Sequence, residues 1–180
     1  MRTHRSLWVA VGILVLGLAV APASHAQLNS AAASVNLNAV LSESLTVTAG
    51  PGVVNFTLVG AGMSNGSSTV TIDTTWALSG ARSSVTVSAY FSSGVALTDG
   101  SGNDIPAANV EGSVNGGGFA SFTAAGPFSA FSQQVMSVAI TDANRNGASS
   151  DTLDLRINTA GLGLPAGTYT GVLNIQAQAI

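Results

Sequence analysis

Apolar side chains recur at every second position through segment after segment of this chain, and no stretch after residue 26 carries the spacing of an amphipathic helix. Period two sends successive side chains to opposite faces of an extended strand, so one face of each segment goes to a core and the other to water. Val35, Leu37, Ala39 and Leu41 alternate with Ser34, Asn36, Asn38 and Val40, and the alternation resumes at Leu45, Val47 and Ala49 beyond Ser42-Glu43-Ser44. This predicts a long half-buried strand ended by Gly50-Pro51-Gly52. Val53 to Val59, with Val54, Phe56 and Leu58 on one side, predicts the next. Thr69 to Leu78 and Ser84 to Ser92 follow, and the short Ser79–Ser83 connection suggests that they form an antiparallel hairpin. Gln134 to Thr141 is a further strand. The closing stretch supplies two more, Thr152 to Asn158 and Gly167 to Ala179, joined by a Leu-Pro-Ala-Gly turn. Many short strands separated by Gly and Asn turn signals define an all-β chain of two packed antiparallel sheets. Residues 93–133, broken by glycines, are expected to hold the long loops. A membrane β-barrel is the weaker alternative, because the segments are short and lack aromatic girdles.

The first 26 residues read differently. Arg2, His4 and Arg5 give a positive start, Leu7 to Ala21 is an apolar run, and Pro22-Ala23-Ser24-His25-Ala26 offers small residues before a cut. That order predicts a signal peptide cleaved after Ala26, with residues 27–180 as a single exported domain. No second apolar run has spanning length, so no transmembrane helix is expected in the mature chain.

Removing the leader sharpens what the chemistry allows. Both histidines go with it, and the chain has no lysine and no cysteine. Three arginines remain against eight acids, a net charge of −5, which offers no basic patch for nucleic acid. Without His, Cys or Lys there is no ordinary zinc site, no Ser-His or Cys-His pair and no Schiff base. Paired carboxylates such as Asp99 with Asp104, or Asp151 with Asp154, are what remains for hydrolysis. Their loop-like settings favour solvated turns instead, so no catalytic, cofactor or metal residues are assigned and no enzyme activity is expected.

Three features invite a binding role. Trp76, with Val70, Ile72 and Thr74 on its parity, is read as a core anchor rather than a stacking platform. Phe119, Phe122, Phe128 and Phe131 crowd one window and either plug the sandwich or form an exposed patch. Asp142-Ala143-Asn144-Arg145-Asn146-Gly147 spaces oxygen side chains as a calcium loop does, but Leu153 stands where a bidentate glutamate would close the shell, which favours a hydrated hairpin loop across 142–154. Asn55-Phe56-Thr57 and Asn65-Gly66-Ser67 match the glycosylation acceptor pattern.

Asp154-Leu155-Arg156-Ile157, followed by Leu164-Pro165-Ala166-Gly167-Thr168-Tyr169-Thr170-Gly171-Val172-Leu173-Asn174-Ile175, resembles the ending of secreted bacterial Ig-like surface domains. These are the spore coat protein U and pilin-like group and the WxL-type wall-associated domains, in which a Pro-x-Gly-x-Tyr turn precedes the final strand. The resemblance implies an Ig-like β-sandwich at the cell surface, in the periplasm or outside the cell. The expected function is structural or adhesive, a pilin-like, coat or matrix subunit that associates with itself or with surface proteins through strand edges such as Leu28 to Ala49. The alternative is a glycan- or ligand-binding module using Trp76, Tyr90 or the phenylalanines.

Overall fold

The computed structural model describes residues 28–122, 126–129 and 132–180. The leader and Phe131 lie outside the described residues. The chain divides into two units, residues 1–39 and 40–180. Within the first, residues 28–39 carry no regular secondary structure and are exposed throughout. The long strand expected from Val35 onward is therefore shorter than its pattern: only Ser44–Gly50 is strand. Alternation fits a segment for a sheet edge, but ladder hydrogen bonds need a partner within about 4.8 Å.

In the second unit the strands are β1 (Ser44–Gly50), β2 (Met63–Asn65), β3 (Val70–Ala77), β4 (Ser84–Tyr90), β5 (Val95–Thr98) and β6 (Asp104–Pro106), then, after a 3-10 turn at Ala107–Asn109, β7 (Val110–Val114), β8 (Ala120–Ser121), β9 (Gln133–Ala139), β10 (Asn146–Asn158) and β11 (Asn174–Ala179). One sheet runs β1-β3-β10-β7-β8, with β2 also on β10; a second runs β11-β4-β9; β5 and β6 form a separate ribbon. Every pairing is antiparallel. No α-helix occurs among the described residues, and none of their helices is long and apolar enough to cross a membrane.

One expected pairing is replaced. β3 and β4 do not form a hairpin: β3 joins β1 and β10, while β4 lies between β11 and β9 in the other sheet. Both strands carry an apolar face, with Val70, Ile72 and Trp76 on one and Val85, Val87 and Ala89 on the other. Placing the strands in different sheets lets those faces bury each other across the core. The closing pair is split the same way, with β10 in the first sheet and β11 in the second, and the last strand begins at Asn174 rather than Gly167.

The two sheets share one apolar core. Ile72, Val85, Val87, Phe122, Leu153 and Ile157 are fully buried within it, and Phe91 meets Phe122 edge to face with centroids 5.2 Å apart. Burying each such side chain contributes about 1.5–3 kcal/mol. Asp151 also points inward, where Asn115 Nδ2 and Ser149 Oγ each donate to its carboxylate at 2.8 Å. Those bonds replace the water that burial removes.

Trp76 is buried against Gly147, and its Nε1–H donates to the Asn144 carbonyl at 2.9 Å. A Cβ at Gly147 would stand 2.5 Å from Cζ2 and 2.7 Å from Cε2 of the indole. Gly147→Ala is accordingly expected to lower stability by about 1–3 kcal/mol through overpacking, read as a lower urea midpoint with an unchanged slope.

Candidate functional site

The segment Val53 to Val59 keeps its alternation, with Val54, Phe56 and Leu58 half-buried and their neighbours exposed, yet it is not a continuous strand. Its ladder contact is an isolated bridge between Phe56 and Gly66. Across from it runs Leu164 to Leu173, which is likewise no continuous strand and ends where β11 begins. An open groove of about 750 Å3 lies between the two segments, walled by Val53–Gly60 and Leu164–Gly171 and floored by Leu97 and Ile157. It continues into a more apolar recess of about 430 Å3 reaching Val70, Phe91, Val110, Leu155 and Ile175.

The backbone of both walls is used on the outer side only. Ser67 N–H donates to the Asn55 carbonyl at 2.8 Å and Asn55 N–H donates to Ser67 Oγ at 3.0 Å. Val59 N–H donates to Ser64 Oγ at 3.1 Å, and its carbonyl accepts from Thr159 Oγ1 at 2.6 Å. Neighbouring residues of an extended chain turn their backbone groups to opposite sides. Val54, Phe56 and Leu58 therefore face the groove, and none of them makes a backbone hydrogen bond among the described residues. On the opposite wall Thr170 exchanges both bonds with Thr98 at 2.9 Å, which turns Tyr169 and Gly171 toward the groove, equally unpaired.

The groove closes where β1 meets β11. Cα atoms of these two strands come within 8 Å, less than the roughly 9.6 Å that a strand seated between them would need. At the opposite end of β1 and β11, away from the groove, the Arg82 guanidinium bonds Glu43 Oε2 at 3.0 Å and the Ala179 carbonyl at 3.5 Å. Ser79 N–H adds a bond to Glu43 Oε1 at 2.7 Å. The Arg82 hydrogen bond first, then the Ser79 N–H, hold the Glu43 carboxyl at about 2, below its ordinary 4.5. A lowered folded-state value favours the fold above pH 4.5 and loses that contribution as pH falls toward 2. Glu43→Gln is expected to flatten the fall of the urea midpoint in this window by lowering the neutral-pH midpoint and leaving the acid one unchanged, a small effect because the pair is exposed.

The groove walls carry no catalytic constellation. Tyr169 donates to the Pro165 carbonyl at 2.9 Å, and desolvation, with the Asp99 carboxylate second, pushes its phenol above the ordinary value. Asp99 itself caps a turn: the Asn103 side chain, then Ser101 N–H, keep its carboxyl below the usual range. Asp104 sits across the β5–β6 ribbon from Thr98. Asp151 and Asp154 fall on opposite faces of β10, so they cannot act on one bond. The hydrated hairpin loop expected across 142–154 is shorter than that window, because β10 begins at Asn146 and the window from there on is strand. Asp142 is held by Arg145.

The aromatic candidates scatter. Trp76 and Phe122 are buried, Phe128 is half-buried, and the exposed Phe119 ring has the Arg156 guanidinium over its face, 3.9 Å from the ring centre. Tyr90 donates to Gln176 Oε1 at 3.3 Å. The groove was missed by reading strands singly; its signal was the pair of alternating segments, Val53 to Val59 and Tyr169 to Leu173, each set off by glycine and proline. No protein-family model matches this chain, and no curated protein matches it.

Proposed function

We propose that this chain is an exported, non-enzymatic structural or adhesive subunit of a bacterial surface, Ig-like in fold and pilin- or coat-like in use. It assembles by accepting a strand from a second copy into the groove. The observation that carries this reading is the pair of unpaired backbone edges facing each other across a groove that continues into an apolar recess. Strand addition at such edges draws affinity from main-chain hydrogen bonds and specificity from alternate side-chain pockets.

The arm, residues 28–43, supplies a suitable strand. Its alternating apolar residues are in water, with Val35 82%, Leu37 93% and Leu41 86% exposed. Chain length separates a second copy's arm from the subunit's own. Leu41 lies three residues before Ser44, so it reaches about 10 Å from it, and Leu37 about 25 Å. β1 alone spans about 20 Å before the groove walls begin. Only residues before about Val35 extend well into the subunit's own groove, and Asn29 to Ser34 are small or polar. Pairing directly back along β1 is blocked, because β11 lies too close to that edge.

Each subunit then offers one arm and one groove, a head-to-tail contact that builds open chains rather than closed rings. The mature chain, residues 27–180, is expected to form a ladder of oligomers with rising concentration and filaments by electron microscopy. A chain that stays monomeric at millimolar concentration contradicts this function.

A further inference from the structure

The four glutamines of residues 28–180 all fall on β9 and β11, the two strands that flank β4. Gln133 turns inward, its Nε2 donating to the Gly112 carbonyl at 2.7 Å. The other three, Gln134, Gln176 and Gln178, are exposed on the outer face of this sheet. Register sets them in rows: Gln176 and Gln134 stand on either side of Ser88, and Gln178 and Ser137 on either side of Thr86. Long side chains on the flanking strands beside short ones on the middle strand make a shallow trough along β4. Ser88 faces outward and is still only 2% exposed, as the floor of such a trough is. Tyr90, one row further on and opposite Asn174, ends it, and its hydroxyl donates to Gln176 Oε1 at 3.3 Å. That bond occupies the amide oxygen and leaves the Nε2 hydrogens of Gln176 for a ligand.

We propose that this trough binds an uncharged polysaccharide, one chain lying along β4. The inference goes beyond the assembly reading and does not rest on the groove; it concerns what an adhesive subunit adheres to. β4, β9 and β11 contain no charged residue. Sugar hydroxyls both donate and accept, as side-chain amides do, so the three glutamines and Asn174 match them without an ionic partner. A charged ligand gives up hydration here and meets no opposite charge on these strands. A protein partner is the poorer fit, because the centre of a protein interface is built from apolar and aromatic anchors, and the middle of this trough, Thr86 and Ser88, offers none. A shallow open trough grips each sugar weakly, so affinity comes from repetition along a chain, whereas an enclosed pocket holds a single small ligand.

The mature chain, residues 27–180, is titrated with uncharged hexose and N-acetylhexosamine oligosaccharides of two and six sugars, and with six-sugar chains bearing uronic acid or sulfate. An uncharged hexasaccharide is expected to bind at least about tenfold tighter than its disaccharide and than every charged chain. Gln134→Ala combined with Gln176→Ala removes hydrogen bonds from opposite walls and should weaken that binding about tenfold or more. Ser150→Ala, on an exposed position of β10 in the other sheet, should leave it unchanged. Urea midpoints establish that the variants are folded, and Gln178→Ala alone, expected to lose about threefold, gives a second comparison. No binding by any uncharged chain, charged chains that bind as tightly, or binding untouched by the glutamine variants each overturn the proposal. Self-association that the double variant abolishes, with no sugar bound, makes the face a contact between copies and overturns it too.

Discussion

Leu37→Asp is expected to abolish self-association at concentrations where the unsubstituted chain forms oligomers, with no change in the unfolding midpoint of the folded unit. Leu37 is exposed in the free subunit, so its replacement removes no packing there and stability should stay within about 0.5 kcal/mol. In the assembled state the same side chain is buried in the groove. Losing its burial forfeits about 1.5–3 kcal/mol, and desolvating a carboxylate in its place costs several more. The combined effect weakens association by more than about a hundredfold, since each 1.4 kcal/mol is tenfold. Sedimentation velocity across a concentration series reads this directly. Undiminished oligomers, or assembly lost together with the fold, would count against the arm as the inserted strand. Asn36→Asp, one position away on the opposite parity, serves as the matched control with a far smaller effect.

Gly171→Ala carries the largest expected loss of stability. A Cβ there would lie 2.9 Å from the Ala96 carbonyl carbon and 3.1 Å from Leu97 Cα, and closer still to the Ala96 oxygen. These are backbone atoms of β5, which cannot swing aside as a side-chain end does. Relief requires breaking the Thr98–Thr170 pairing that holds this groove wall in place. Overpacking with backbone displacement costs about 3 kcal/mol or more, roughly a third of the stability of an ordinary domain. The variant should show a much lower urea midpoint and, where still folded, weaker assembly. Gly163→Ala offers a comparison, because its Cβ meets nothing within 4 Å and only its φ of +59° opposes the change. A Gly171→Ala chain as stable as the parent would show that β5 does not brace the wall.

Much of the architecture was legible in single segments. Alternation located β3, β4, β9 and the second half of β10, Thr152 to Asn158, because each has one apolar face, and the parity of Ile175, Ala177 and Ala179 against Gln176 and Gln178 holds in β11. Which strands lie side by side was not legible. Pairing is chosen by which apolar faces meet across the core, and a short connection at Ser79–Ser83 serves a sheet-to-sheet crossing as well as a hairpin. The arm and the Val53–Val59 segment show the same limit from the other side. Both have strand pattern and neither is a continuous strand, because pattern records suitability for a sheet while pairing needs an available edge. A site made of unpaired backbone leaves no mark in side-chain chemistry, so a search for histidines, cysteines or paired acids passes over it.

Amide hydrogen exchange on monomeric and assembled protein tests the central claim most directly. In the arm-deleted monomer, the amides of Val54, Phe56, Leu58, Tyr169 and Gly171 should exchange freely while those of β3 and β10 are protected. On assembly of the mature chain, the five groove amides and the successive amides between Val35 and Leu41, which turn alternately to the two walls, should become protected together. Assembled protein in which the groove amides still exchange as fast as in the monomer would contradict strand insertion.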